Sequence, residues 1–103
     1  MKYQLVLQFF GDSLQDYDAL IALEDRLIEA LEPTHLLDGH DFGSREMNVF
    51  VHSDDPTAAF ASAKTVIPAE TLAQSMKAGY REMAGDDYSL IWPPGSTERF
   101  EVK

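Results

Sequence analysis

Hydrophobic and polar side chains alternate along the start of the chain. The odd positions are Tyr3, Leu5, Leu7 and Phe9, and the even positions are Gln4, Val6, Gln8 and Phe10. An alternation of period two predicts a β-strand over residues 2–10 whose odd positions face the core. Gly11 interrupts the pattern, and Asp12 or Ser13 is suited to cap a helix that follows.

The alternation changes to a helical spacing over residues 14–31. Apolar residues three or four positions apart define the predicted core face, which consists of Tyr17, Leu20, Ile21, Leu27, Ile28 and Leu31. The acidic residues expected to lie largely away from this face are Glu24, Asp25, Glu29 and Glu32. Pro33 is expected to end the helix, because proline cannot continue the backbone hydrogen bonding.

Residues 35–52 predict a β-hairpin. The second strand begins over residues 35–38, and Gly43-Ser44 is suited to the turn. The third strand covers residues 46–52, with one side formed by Met47, Val49 and Val51 and the other by Glu46, Asn48, Phe50 and His52. We expect the first set to face the core. Asp38-Gly39 is expected to form a bulge or bend, since glycine relaxes the backbone.

The rest of the chain predicts a second helix and two further strands. Asp55-Pro56 is typical of a cap followed by proline in the first helical position, with the helix covering about residues 56–67. Its expected inward side chains are Ala59, Phe60, Ala63, Val66 and Ile67. Residues 69–75 fit either a helical turn or a loop. Strands are predicted over 76–83 and 87–92, and Phe100 and Val102 either add a short edge segment or pack the tail.

The order of elements is β-α-β-β-α-β with an extra C-terminal strand, within one α+β domain spanning residues 1–103. Over about residues 2–83 this order resembles the ferredoxin-like α/β plait, and the chain is similar to small bacterial domains of that fold. The resemblance implies a two-layer sandwich in which both helices cover one face of an antiparallel sheet. The other face is then open to solvent or to a partner.

Charge narrows the classes of partner. The chain has 18 acidic and 8 basic residues, a formal net charge of −10, and no cysteine. Because nucleic acid and anionic membranes are bound through Lys and Arg, we expect neither as a partner, and basic proteins or cations fit better. Disulfides, thiolate metal sites and cysteine nucleophiles are excluded. Without a signal-peptide pattern or an apolar run of about 18–20 residues, we expect a cytoplasmic protein.

The sheet face opposite the predicted helices is the candidate binding surface. The residues assigned to it are His40, Glu46, Asn48, Phe50, His52 and Gln8. Amide and aromatic side chains together suit contacts with another protein or with a second copy of the chain. The alternative is a face covered by the protein's own C-terminal hairpin or tail.

The hairpin register decides whether polar residues 38–52 form one site. A loop of two or four residues places Asp41 opposite Glu46, whereas a three-residue loop moves Asp38 and His40 to the side of His52. The second register would gather candidate metal ligands at Asp38, His40 and His52, beside Glu46. His40 could also act as a general base oriented by Asp38 or Asp41. The sequence leaves the register open.

Other polar residues have structural interpretations. Asp54-Asp55 is expected to be a helix cap, Asp86-Asp87 a solvated turn, and Arg81 a partner in an ion pair within the domain. Trp92 is expected to fill the core.

The sequence contains no phosphate-binding loop and no nucleophile motif, so we assign no catalytic residue and no cofactor. The predicted function is that of a non-catalytic protein-interaction or regulatory domain that binds through its open sheet face. The alternative is a ligand- or metal-dependent enzyme that uses the His, Asp and Glu cluster of the hairpin.

Overall fold

The computed structural model describes residues 2–10, 17–43, 46–69, 76–95 and 100. Within these residues the chain forms five strands and two helices, in the order β1 (Tyr3–Phe10), α1 (Tyr17–Leu31), β2 (Leu36–Gly43), β3 (Glu46–Ser53), α2 (Pro56–Lys64), β4 (Met76–Glu82) and β5 (Ser89–Trp92). The predicted α+β class is confirmed. The predicted cap at residues 12–13, the predicted helix residues 14–16, Ser44, residues 70–75 and Val102 lie outside the described residues.

The strands form a single antiparallel sheet with the order β2-β3-β1-β4-β5. Strand β1 lies in the middle and pairs over its length with both β3 and β4. The fifth strand is added at the edge of β4, as the extra C-terminal strand in the sequence predicted.

The hydrophobic core lies between one face of this sheet and both helices. The sheet contributes the odd positions of β1 and β3, as their alternation predicted, and α2 contributes Ala59, Phe60 and Ala63. Trp92 packs against the same core from β5. Burial of this apolar surface is the main favourable term in folding, and it fixes which face of each strand the helices cover.

The buried face of α1 differs from the predicted one. Leu23, Leu27 and Leu31 are buried at intervals of four residues, whereas Ile21 and Ile28 remain 36% and 39% exposed. The predicted placement of these two isoleucines was wrong, because the helix is rotated so that Leu23 and Glu24 face inward. Glu24 is only 8% exposed, which corrects its predicted position on the outer surface. Asp25 and Glu29 are exposed as predicted.

Helix α2 begins as its sequence predicted. The side chain of Asp55 accepts a hydrogen bond from the backbone N–H of Ala58 at 3.1 Å, and Pro56 occupies the start of the helix. The cap satisfies a backbone donor that has no partner inside the helix, and proline in the first turn removes another such donor. The helix ends at Lys64, earlier than predicted, and Ile67 still packs into the core.

The sheet face opposite the helices is partly covered by Phe100. This side chain is buried and lies directly against Gly79 of β4, where an added Cβ would approach its ring to 2.6 Å. The ring also packs against Tyr88, with the ring centroids 5.2 Å apart. Phe100 therefore packs onto the sheet, one of the two roles that the sequence left open for it.

None of the described helices is both long enough and apolar enough to cross a membrane.

The rotation of α1 predicts different costs for truncating two adjacent residues. Leu27→Ala should lower the free energy of unfolding by about 2–5 kcal/mol, because it opens a cavity at a fully buried position. Ile28→Ala should lower it by less, about 1 kcal/mol, since that side chain is 39% exposed and loses less buried apolar surface. Urea denaturation of both variants measures the difference. Equal losses would contradict the helix orientation described here.

Candidate functional site

A β-bulge in β2 determines how the polar residues of the hairpin are arranged. Gly43 pairs with Glu46 and Gly39 with Phe50, but the register shifts by one residue between Leu37 and Gly39. Asp38 is the extra residue. Gly39 has a φ of 137°, a conformation that side chains disfavour, so glycine is required at this point. The bulge predicted at Asp38-Gly39 is present. Neither predicted register is correct, because Asp41 pairs with Asn48 and not with Glu46, and only Asp38, not His40, lies on the side of His52.

The two hairpin histidines lie on opposite faces of the sheet. His40 pairs with Val49, so it lies on the helix side, and its Nδ1 is 2.8 Å from Oε1 of Glu24. His52 lies on the other side, where its Nε2 is 3.3 Å from Oδ2 of Asp38. One residue of slip reverses every side chain of a strand, and a bulge does so within the strand.

These two pairs differ in their exposure to water. The Glu24 side chain is 10% exposed, and its carboxylate joins α1 to the edge strand β2. The Asp38 side chain is 55% exposed, so solvent screens its interaction with His52. Sequence reasoning missed the Glu24–His40 contact, because the helical spacing placed Glu24 on the outside.

The third histidine has a structural role. His35 is buried, and its Nδ1 lies 2.7 Å from the hydroxyl of Ser53, which is fully buried. Ser53 Oγ also accepts the backbone N–H of Asp55 at 2.8 Å. Because Asp55 in turn caps α2, this chain of hydrogen bonds fixes the start of the helix relative to β2 and β3. The cap predicted at Asp54-Asp55 is confirmed for Asp55, and Asp54 accepts the backbone N–H of Lys2 at 3.1 Å.

The predicted binding surface is not a continuous open face. Gln8 and Asn48 are 3% and 2% exposed, and their side chains are hydrogen-bonded to each other at 3.1 Å. Glu46 is also buried, and among the described residues its Oε2 has no hydrogen-bond partner. Phe50 and His52 are half-buried, and His40 lies on the other side of the sheet. The six predicted residues therefore do not form one surface.

The same separation applies to the candidate metal ligands. Asp38 and His52 are in contact, whereas His40 is on the opposite face. Within the described ranges, no three His, Cys, Asp or Glu side chains form a group that could hold a metal ion. Three or more protein ligands are usual in zinc sites, and this arrangement supplies two.

A different constellation lies where the start of α2 meets the connection between β4 and β5. It is a surface cleft of about 530 Å³. Five carboxylates line it, from Asp54, Asp55, Glu82, Asp86 and Asp87. Its other lining residues include Tyr3 and Tyr80, whose rings meet edge to face with their centroids 5.8 Å apart. The cleft is thus acidic, with an aromatic pair among the carboxylates.

Arg81, the single basic residue among the described residues of the cleft lining, is hydrogen-bonded to the protein itself. Its Nη1 donates to the backbone carbonyls of Glu82, Met83 and Gly85 at 3.2, 3.1 and 3.0 Å, and its Nε donates to Oε1 of Gln4 at 3.1 Å. The guanidinium therefore holds the turn after β4 together. The ion pair predicted for Arg81 is not among the contacts of the described residues.

Sequence reasoning missed this cleft because its parts are far apart in the chain. Tyr3 pairs with Ser53 on one side and with Glu82 on the other, so β1 brings the ends of β3 and β4 together. Asp86 and Asp87 are exposed, as predicted for a solvated turn. No local spacing of residues shows that this turn faces the cap of α2.

No family model, curated protein or solved structure matches this chain. Its function is therefore argued from the geometry of these residues.

The two histidine–carboxylate pairs should contribute unequally to stability. A double-mutant cycle on Glu24 and His40 should give a coupling of about 1.5–3 kcal/mol, because the carboxylate is buried when its partner is lost. The matched cycle on Asp38 and His52 should give less than about 1 kcal/mol, since Asp38 is exposed. Chemical denaturation measures both. A larger coupling for the exposed pair would contradict these roles.

Separation of the histidines predicts the response to metals. Adding Zn²⁺, Mn²⁺ or Ni²⁺ in stoichiometric amounts should leave the melting temperature unchanged, because ligand binding raises it only when the folded state offers a site. Differential scanning fluorimetry with metal analysis of the purified protein provides the measurement. Stoichiometric metal that is lost in both Asp38→Asn and His40→Asn variants would show that the three ligands do converge.

Proposed function

We propose that this chain is a non-catalytic interaction domain that binds a basic partner protein through the acidic cleft. The observation that carries the proposal is the charge of the cleft. Five acidic residues line a space of about 530 Å³, and Arg81, the one basic residue among the described lining residues, is bonded to backbone carbonyls and to Gln4. Like charges gathered around one recess are relieved by a cation, so the cleft favours a positively charged occupant.

The aromatic pair in the cleft indicates which positively charged group of a partner would bind there. Tyr3 and Tyr80 are both half-buried and both line the cleft. A guanidinium or ammonium is attracted to an aromatic face, and a guanidinium also forms paired hydrogen bonds with carboxylates. An arginine side chain of a partner satisfies both features, which makes it the favoured anchor.

The net charge of the chain also favours a basic partner protein, because its electrostatic field acts beyond the cleft itself. The chain carries −10, so its field attracts basic proteins during encounter and repels nucleic acid. The sequence predicted a protein partner for this reason. The proposal changes the location, from the sheet face to the cleft, because Gln8, Asn48 and Glu46 at the predicted surface are buried.

We further propose that the fold is a ferredoxin-like plait extended by one strand, in a bacterial domain. This proposal is supported by the order of elements from β1 to β4 and by the packing of both helices against one sheet face. For the alternative, a ligand- or metal-dependent enzyme that uses the hairpin cluster, the described residues bring Asp38 and His52 together but leave His40 on the opposite face. Fold alone assigns no function.

Neutralising the cleft should weaken binding of an arginine-rich peptide. The Asp86→Asn and Asp87→Asn double variant removes two charges at the cleft, and we expect its Kd to rise at least about tenfold, equivalent to about 1.4 kcal/mol. Fluorescence anisotropy with a labelled peptide, measured at low and at physiological salt, provides the test. Because the pairing is electrostatic, raising the salt concentration should weaken binding to the parent protein.

The matched control is Asp25→Asn with Glu29→Gln, which removes the same charge from exposed positions of α1. Its Kd should stay within about twofold of the parent value, because neither residue is among those that line the cleft and both are screened by solvent. Equal losses in both double variants would mean that the peptide responds only to net charge. That result, or a peptide affinity insensitive to salt, would overturn the proposal.

A further inference from the structure

The carboxylates on the two walls of the acidic cleft are held in different ways. On the wall at the start of α2, the carboxylates of Asp54 and Asp55 each accept a backbone N–H at 3.1 Å. The other wall is formed by the end of β4 and its connection to β5, and it carries Glu82, Asp86 and Asp87. Within the described residues, no hydrogen bond or ion pair involves these three carboxylates. Their positions therefore depend on the backbone that carries them.

That backbone is held by the guanidinium of Arg81. Its Nη1 donates to three backbone carbonyls at 3.2, 3.1 and 3.0 Å, the nearest of which belongs to Gly85. Its Nε donates to Oε1 of Gln4 on β1 at 3.1 Å. We refer to these hydrogen bonds together as the Gln4–Arg81 brace. Because Gly85 immediately precedes Asp86 and Asp87, the brace attaches the acidic wall to the central strand of the sheet.

The brace lies beside the aromatic pair of the cleft. Gln4 and Arg81 are directly opposite each other in the pairing of β1 with β4, and both are half-buried. Their neighbours in the chain are Tyr3 and Tyr80, whose rings are in contact. A hydrogen bond to a charged group is stronger in such a partly dry position than in water. The same contacts therefore fix the carboxylates of the connection relative to the two tyrosines.

Fixed carboxylates matter more for binding an arginine than for binding a lysine. A guanidinium presents its N–H donors in a planar fork and pairs with a carboxylate through two parallel bonds, so a displaced carboxylate loses one of them. An ammonium is a compact charge with rotatable donors, and it tolerates the displacement. A cleft whose acids are held in place also loses less conformational entropy when it binds. Positional order thus favours arginine, whereas charge alone attracts both.

We propose that the Gln4–Arg81 brace determines the specificity of the cleft, by holding its carboxylates where they bind an arginine of the partner in preference to a lysine. Gln4 and Arg81 are then positioning residues, which act through Asp86 and Asp87. This inference rests on the proposed function, because it takes the cleft as the binding site. It adds the residues that make the cleft select one kind of cation.

Two variants release the brace without changing the charge of the chain. Gln4→Leu removes the acceptor of the Nε bond, and Arg81→Lys keeps the cation but has no nitrogen along its stem that could donate to Gln4. The parent should bind an arginine-rich peptide at least about tenfold more tightly than the same peptide with lysine at every arginine. Both variants should reduce this ratio to about threefold or less, mainly by weakening the arginine peptide.

The matched control is Gln4→Glu, which keeps an acceptor for Arg81 and should retain the parent ratio. Its added charge strengthens binding of both peptides, so the ratio separates position from charge. Fluorescence anisotropy with the two labelled peptides gives the affinities, and circular dichroism checks that each variant is folded.

Hydrogen exchange measured by NMR tests the brace without any peptide. The amide of Gly85 donates to the carbonyl of Glu82 at 2.9 Å. In Gln4→Leu it should exchange at least about fivefold faster than in the parent or in Gln4→Glu, while the core amides of β1 exchange as before.

The outcomes separate this inference from the proposed function. A parent that does not distinguish the two peptides, or a ratio unchanged in Gln4→Leu and Arg81→Lys, would overturn the inference. The proposed function would still stand if the Asp86→Asn and Asp87→Asn double variant bound more weakly. A double variant that binds like the parent would overturn both. Unchanged exchange at Gly85 in Gln4→Leu would show that the brace does not hold the connection, and would overturn the inference alone.

Discussion

The pairing of β1 with both β3 and β4 is the constraint on which the rest of the structure depends. It buries Leu5, Leu7 and Phe9 under the helices, and it fixes the faces of the neighbouring strands through one continuous register. Because Tyr3 stands between Ser53 and Glu82, the same pairing brings the cap of α2 beside the turn after β4. The pairing of β1 thus forms the acidic cleft, although β1 itself contributes Tyr3 alone to the described lining.

The strands and α2 could be predicted because local patterns decide them. Alternation marked β1 and β3, and Asp55-Pro56 marked the start of α2. The buried face of α1 could not be predicted in the same way, because the spacing of apolar residues is compatible with burial of either Ile28 or Leu23. In the structure Leu23 is buried, and the contact of Glu24 with His40 lies on the same inward side. That contact joins elements that no sequence pattern relates.

The site was predictable only in part, because a bulge changes faces within a strand. Asp38-Gly39 was recognisable as a bulge from its glycine, yet its effect on His40 depends on the register of the whole hairpin. The cleft was harder to predict, since it joins three segments that are distant in the sequence. Asp86 and Asp87 can be assigned to the cleft only when the pairing of β4 with β1 is known.

Two surfaces of the chain differ in how their charged residues are arranged. One is a cleft in which carboxylates surround two tyrosines, and the other is a sheet face whose acids and bases lie on opposite sides. Mapping amide chemical shifts during titration with an arginine-rich peptide tests the central claim most directly. Shifts concentrated at Tyr3, Tyr80 and residues 86–89 are the expected result. Shifts spread over the acidic surface of α1, or centred on Phe50 and His52, would contradict it.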